Sequence, residues 1–232
     1  MTRSLPAALC LAVAFVLAGC APPAIEEASR AGTGSTGTEL PGQVIDLPDP
    51  RLQSDTSLEE VLNGRRSVRT YSKGPLTIEE IAQLFWAAQG VTHQQGYRTA
   101  PSAGALYPLE LYAGTEDGLY HYQPQGHRAL IRQVDGWRPA LCQAALKQEA
   151  VCQASAVFVV SAVYERTAKK YGERAERYVR LEAGHAAQNL LLQAVALDLG
   201  AVPIGAFYDD QVQAALGLPA EQQPLYLIPV GR

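Results

Sequence analysis

The sequence predicts an α+β domain, and three observations carry that reading. Two Ser/Thr-x-x-Glu patterns, Ser57 to Glu60 and Thr77 to Glu80, each stand at the head of a helical run; such pairs satisfy two orphan amides reciprocally as a capping box. Residues 155–163, with Val157, Phe158, Val159 and Val160, form a continuous apolar run of the kind buried strands show. Residues 178–199 form a long stretch that is apolar nearly all round and stops at Gly200. A helix of that character belongs in a core or a large subunit interface.

Taken in order, the first capping box opens a helix over 58–64. The second opens one over 78–89, where Ile78, Ile81, Phe85 and Ala88 recur at helical spacing and Gly90 supplies a stop. Residues 109–114 and 118–123 read as an antiparallel strand pair. Cys142 falls in a helix and Cys152 just before the strand at 155–163. After the long helix come a short one near 209–216 and a closing strand over 225–230.

The N-terminus is set apart from this domain. Arg3 followed by the apolar run from Leu5 to Val16 is too short for a membrane span of about 20 residues and fits a secretory signal. Leu17-Ala18-Gly19-Cys20 resembles the lipobox of bacterial lipoproteins, which implies cleavage after residue 19 and acylation of Cys20. Two or more acyl chains anchor stably where one does not, so the resemblance places the protein in the cell envelope, tethered to a membrane and facing the periplasm or the exterior. Residues 20–43, with Ala21-Pro22-Pro23 and a Gly/Ser/Thr tract from Gly32 to Thr38, have the composition of a flexible tether. Residues 44–232 form one domain of ordinary size.

The whole chain has 19 basic and 23 acidic residues, a net charge of −4. Without residues 1–19, which hold only Arg3 among charged residues, the balance is about −5. That gives no electrostatic footprint for nucleic acid. The cysteine spacing contains no C-x-x-C and no His/Cys metal pattern, so no metal is expected. Cys142 and Cys152 read equally well as a disulfide, permitted outside the cytoplasm, or as two free thiols.

Against this acidic background Arg65-Arg66-Ser67-Val68-Arg69 is a dense basic cluster. Extended, it puts Arg65, Ser67 and Arg69 on one side; helical, it puts Arg65 and Arg69 one turn apart. Like charges at that spacing repel, so an anion between them is the favourable arrangement, and arginine forks suit phosphate. A solvated basic turn after a helix is the plainer alternative. Pro101-Ser102-Ala103-Gly104-Ala105-Leu106-Tyr107-Pro108 is small, uncharged and able to approach a flat ligand closely. Gly200 to Phe207, through Ile204, Gly205 and Ala206, is a second segment of that kind.

Six segments together resemble the nitroreductase family of FMN-dependent flavoproteins, over roughly residues 55–232, and within it the branch of SagB-type dehydrogenases. They are Arg-Arg-Ser-Val-Arg-x-Tyr at 65–71, Arg-Thr-Ala-Pro-Ser-Ala-Gly-Ala-Leu-Tyr-Pro-Leu-Glu at 98–110 and Gly-Leu-Tyr-His-Tyr at 118–122. Further on stand Leu-Glu-Ala-Gly-His-Ala-Ala-Gln-Asn at 181–189, Gly-Ala-Val-Pro-Ile-Gly-Ala-Phe at 200–207 and Pro-Val-Gly-Arg at 229–232. The resemblance implies a three-layer fold, a mostly antiparallel sheet flanked by helices, in an intertwined homodimer with the long helix as its seam. Gly184 would let another helix come close there, and His185 reads as a core or interface histidine rather than a base.

The resemblance further implies that Arg65, Arg66 and Ser67 hold the FMN phosphate and ribityl chain, with Arg232 a second phosphate ligand and Arg69 near the pyrimidine edge. Pro101, Ser102, Ala103 and Gly104 would line the ring from the partner subunit, and Ile204, Gly205 and Ala206 would face the reactive N5. Many members have Asn followed by Gln-Pro-Trp where this chain has Ala105 to Leu109, which makes Tyr107 the polar substitute near the ring or else a buried aromatic. The function implied is two-electron transfer between a donor and a small organic or peptide substrate. Its alternative is a non-catalytic lipoprotein that uses the scaffold for binding. Donor and acceptor stay open, because NAD(P)H is scarce outside the inner membrane.

Overall fold

Seven strands make one antiparallel sheet in the computed structural model, which describes residues 42–232. The strands are β1 (Gln43–Asp46), β2 (Leu109–Thr115), β3 (Gly118–Gln123), β4 (Arg128–Arg132), β5 (Ala156–Ala162), β6 (Gly200–Ala201) and β7 (Gln223–Gly231). Their spatial order is β1-β4-β3-β2-β5-β7-β6. The helices are α1 (Leu58–Gly64), α2 (Ile78–Gln89), α3 (Trp137–Ala144), α4 (Glu149–Gln153), α5 (Tyr164–Tyr171), α6 (Ala175–Ala196) and α7 (Asp209–Leu216).

The period-2 geometry of a strand sends alternate residues to opposite faces. On β5, Ala156, Phe158, Val160 and Ala162 join the core under α2 and α6, while Val157 and Val159 join the core under α3 and α7. The sheet is therefore the middle of three layers, as expected, and β5 is apolar throughout because both its faces are covered.

Both capping boxes form. Ser57 accepts from the Glu60 amide at 3.1 Å and Thr77 from the Glu80 amide at 3.3 Å, and each glutamate bonds back to its cap. The long helix departs from its expected bounds, running 175–196 rather than 178–199. It ends early because Asp198 takes φ +57°, a left-handed reversal that frees Gly200 to start β6. The sheet also takes in Gln43, where a tether residue was expected. Cys142 of α3 and Cys152 of α4 form a disulfide, which decides between the two thiol states and is worth about 2–3 kcal/mol as a short-loop staple.

Along the β6 edge the chain packs closely against the segment after α1. Ser67 bridges Ala201 in parallel, and the Val68 amide donates to the Ala201 carbonyl at 3.1 Å. A β-carbon on Gly200 would lie 2.6 Å from Val68 Cγ1, and one on Gly231 2.7 Å from the Tyr71 ring. These glycines let residues 68–71 lie flush on the sheet edge. Gly200→Ala therefore overpacks the contact and should cost about 1–3 kcal/mol, read as a lower urea midpoint. An unchanged midpoint would show that Val68 does not press on the edge.

Candidate functional site

The five-residue basic cluster is extended, not helical. Arg65 caps α1 with ψ 121°, and the β-bridge at Ser67 holds the next residues straight. Arg65, Ser67 and Arg69 thus share one side of the strip. Among the described residues none of Arg65, Arg66 and Arg69 joins an ion pair. Arg66 donates to the Asn63 and Arg65 carbonyls at 2.9 and 2.8 Å, and Arg69 makes only a long 3.4 Å contact to the Ser67 carbonyl. Arg65 and Arg69 are therefore the two guanidiniums most free to take an anion.

Arg232 is placed otherwise. Its guanidinium grips both carboxylate oxygens of Glu80 at 2.8 Å, and its carbonyl accepts from the Ser72 amide at 2.6 Å. The chain end is thereby pinned beside the basic strip, but Arg232's own charge is already matched. A role on phosphate would require it to leave Glu80.

Beyond β6 the chain passes Ile204, which exchanges both backbone bonds with Leu227. Gly205 and Ala206 then emerge exposed. A β-carbon on Gly205 would meet nothing within 4 Å, and the Ala206 carbonyl is held by Gln148 at 2.8 Å. The basic strip and this bare glycine corner are consecutive along one edge of the sheet.

The Pro101–Pro108 loop lies elsewhere in the same chain. The register sets Ala201 level with Val230 and Ala156, whereas Leu109, just after the loop, is level with Ala162 and Gln223. From Ala156 to Ala162 along β5 is about 20 Å at ~3.3 Å per residue, and β2 is three places across the sheet from β6. One chain does not bring its basic strip and this loop together.

The loop itself is tightly specified. Residues 103–105 make one 3₁₀ turn, and φ is positive at Gly104, Ala105 and Tyr107. Ser102 Oγ accepts from the Tyr107 amide at 2.9 Å. Tyr107 turns onto Arg98: its hydroxyl accepts from the Arg98 amide at 3.2 Å and its ring lies 4.3 Å from the Arg98 guanidinium carbon. It anchors the loop. A β-carbon on Gly104 would lie 2.9 Å from the Tyr171 hydroxyl and 3.0 Å from Lys170 Nζ. These two polar groups of α5 stand over the loop and were missed in the sequence, where Lys169-Lys170-Tyr171 reads as an ordinary basic helix end.

The α5 helix is held there by Glu110. Its carboxylate bonds His121 Nε2 at 2.7 Å and Arg166 at 2.5 Å, and Arg166 also donates to the Tyr107 carbonyl at 3.3 Å. Burial alone would raise the Glu110 carboxyl, but His121 and Arg166 outweigh it and hold it below the usual range.

The outer face of α6 carries Leu181, 52% exposed, with exposed His185 and Gln188. His185 is thus not in the core of the chain. Nothing within 4 Å would meet a β-carbon on Gly184. Next to this face, Leu58, Val61, Trp86, Asn189 and Leu192 line an open groove of about 340 Å³. Cys20 lies outside the described residues. Among the described residues no helix is long and apolar enough to cross a membrane.

Residues 62–232 match the model of the Nitroreductase family. The chain is similar to a protein of Methanocaldococcus jannaschii that carries the name nitroreductase, 46% identical over 200 residues, covering 82% of this chain and 98% of that one. Among solved structures it resembles a protein of Ralstonia eutropha named in the same way, with TM-score 0.72, 28% identity, and 82% and 89% of the two chains covered. The NADPH:FMN oxidoreductase of Vibrio harveyi shares the fold at TM-score 0.57 and 23% identity, over 75% of this chain and 68% of that one.

Proposed function

The chain belongs to the nitroreductase family of flavin-dependent oxidoreductases, and we propose that it binds FMN in two sites, each built across a homodimer. The observation that carries the proposal is the extended strip at Arg65–Arg69, with guanidiniums free of carboxylates, leading along the β6 edge to the bare corner at Gly205. Those residues fit the cofactor: a phosphate supplies the missing counter-charge, and a corner without side chains admits a planar ring. Arg65 and Ser67 hold the phosphate and ribityl chain in this reading, Arg66 stays with the Asn63 and Arg65 carbonyls, and Arg69 would lie at the pyrimidine edge, where a cation favours the reduced, anionic form.

The second wall, Pro101 to Gly104, comes from the partner subunit, because about 20 Å of strand separates it from the strip in one chain. Lys170 and Tyr171 travel with that wall and reach the substrate side, where an ammonium and a phenol can orient a polar substrate or hold a proton. The exposed face of α6 with its groove is the seam. FMN, when bound, would supply two-electron transfer; Gly205 and Ala206, exposed and without bulky side chains, with Ile204 behind them, would leave its ring accessible to donor and acceptor.

The motifs at 98–110, 118–122 and 181–189 support a likeness to the SagB-type branch, which favours a small organic or peptide substrate. In this reading residues 1–19 are a lipoprotein signal, Cys20 the lipid attachment site, and the tether ends before Gln43, which pairs in the sheet. The Cys142–Cys152 disulfide supports an oxidising compartment. Cys20→Ser should move the protein from the membrane fraction to the soluble one.

The test of the flavin reading is the visible spectrum of the full chain after incubation with excess FMN and desalting. Retained flavin absorption supports it. A folded, colourless protein overturns it and leaves a non-catalytic binding lipoprotein.

A further inference from the structure

Between α2, α6 and the Ser102–Tyr107 loop lies a buried polar cluster that the proposed chemistry does not use. Glu182 of α6 is 3% exposed and Gln89 of α2 fully buried. Arg98 donates to Gln89 Oε1 at 2.8 Å and lies against the Tyr107 ring. Within this cluster Glu182 Oε1, Gln89 Nε2 and Arg98 Nε have no hydrogen-bond partner. Buried polar atoms are rarely left so. Meanwhile Ala105 and Tyr107 hold φ of +54° and +47°, strain that persists only where the surroundings over-determine it.

On the basis of the flavin reading, we propose that Glu182 is a positioning residue: its buried carboxylate, acting through Ser102 and Arg98, holds the strained loop in the shape that receives the flavin ring. Arg98 ties the loop down at Tyr107 by its amide and its guanidinium face, and its charge is buried enough to need a counter-ion. Glu182 is the carboxylate of this cluster that is not already committed. The nearby Glu110 is bound to His121 and Arg166. The other groups facing the cluster are Tyr107 and Tyr122 beside Arg98, Lys170 and Tyr171 across the loop, and Tyr178, which packs edge-on against Tyr171.

The arrangement makes loop order depend on pH. Burial pushes the Glu182 carboxyl up to about 7, against the pull of the Ser102 hydroxyl and the Arg98 guanidinium. Below that value Glu182 is neutral and Arg98 keeps only the attraction of the already committed Glu110, so the loop is loosened. Above it the Glu182 carboxylate draws on the Ser102 hydroxyl and the Arg98 guanidinium together, and the loop is held. Flavin affinity should therefore rise with pH through neutrality. Stability of the flavin-free protein runs the other way, because the folded value lies above the ordinary 4.5: the protonated state's contribution is complete below about 4.5 and lost as pH rises through about 7.

The test is the dissociation constant of FMN, read by quenching of its fluorescence between about pH 5.5 and 8.5. Riboflavin serves as a second ligand, since a phosphate monoester itself titrates near about 6. Wild type should bind both flavins on the order of tenfold more tightly at the upper pH. Glu182→Gln should flatten the riboflavin profile at the weaker level while raising the melting temperature at pH 8, a combination a merely structural role would not give. Glu182→Asp should keep a step with a displaced midpoint, and decides the matter should the glutamine variant not fold. A flat wild-type riboflavin profile, a step that survives Glu182→Gln, or an unmoved midpoint in Glu182→Asp overturns the inference alone. Failure of wild type to bind flavin at any pH overturns the flavin reading and the inference with it.

Discussion

Arg65→Ala/Arg69→Ala should weaken FMN binding at least a hundredfold at physiological salt. Each guanidinium stands free of carboxylates, and a charge-assisted hydrogen bond, from Arg65 to the phosphate or from Arg69 to the pyrimidine edge, contributes about 1.5–3 kcal/mol. Two such losses reach on the order of a hundred- to a thousandfold even with partial compensation. Arg66→Ala should cost far less, because the Arg66 guanidinium is already engaged by the Asn63 and Arg65 carbonyls. Fluorescence titration of the three variants checks the order. Raised salt should shrink the difference between wild type and double variant, as screening requires. An Arg66→Ala loss equal to that of the double variant would move the phosphate to the other side of the strip.

Subunit complementation should show the second large effect. Arg65→Ala/Arg69→Ala removes the anion strip, and Gly104→Val breaks the other wall, where φ is +63° and Tyr171 and Lys170 leave no room. Each variant alone should lose nearly all flavin binding and turnover. In a mixed dimer both lesions fall in one site and the other site is intact. Equal co-expression with random pairing should thus restore about a quarter of wild-type sites, as two-fold symmetry requires. No recovery in a mixture shown to contain the mixed dimer would mean that strip and loop serve the same site from one chain. That outcome would contradict the register that places them at opposite ends of the sheet.

Much of this fold was legible because its signals are local. The capping boxes at Ser57 and Thr77 and the stop at Gly90 lie within one or two turns of what they control, so α1 and α2 fall where the sequence places them. β4 and α5 escaped notice for the opposite reason. Residues 128–132 read Arg-Ala-Leu-Ile-Arg, too short a pattern to stand out, and they become a strand by pairing with β1 and β3. The α5 segment is polar, and Glu110, far away in sequence, gives it its place.

By itself the sequence determined the α+β class, the order of most elements and the anion-suited chemistry of residues 65–69. These rest on residue type and short-range spacing, which need no knowledge of what lies opposite. Tertiary structure alone decided that the basic strip is extended, since only the Ala201 backbone selects that over a helical turn. It joined Cys142 to Cys152, turned Tyr107 inward onto Arg98, matched Arg232 to Glu80 and buried Glu182 beneath the loop. It also set the basic strip and the Pro101–Pro108 loop at opposite ends of the strands. Each of these depends on which distant backbone fills a strand's open edge or a side chain's empty valence, and that is set by the pairing of the whole sheet.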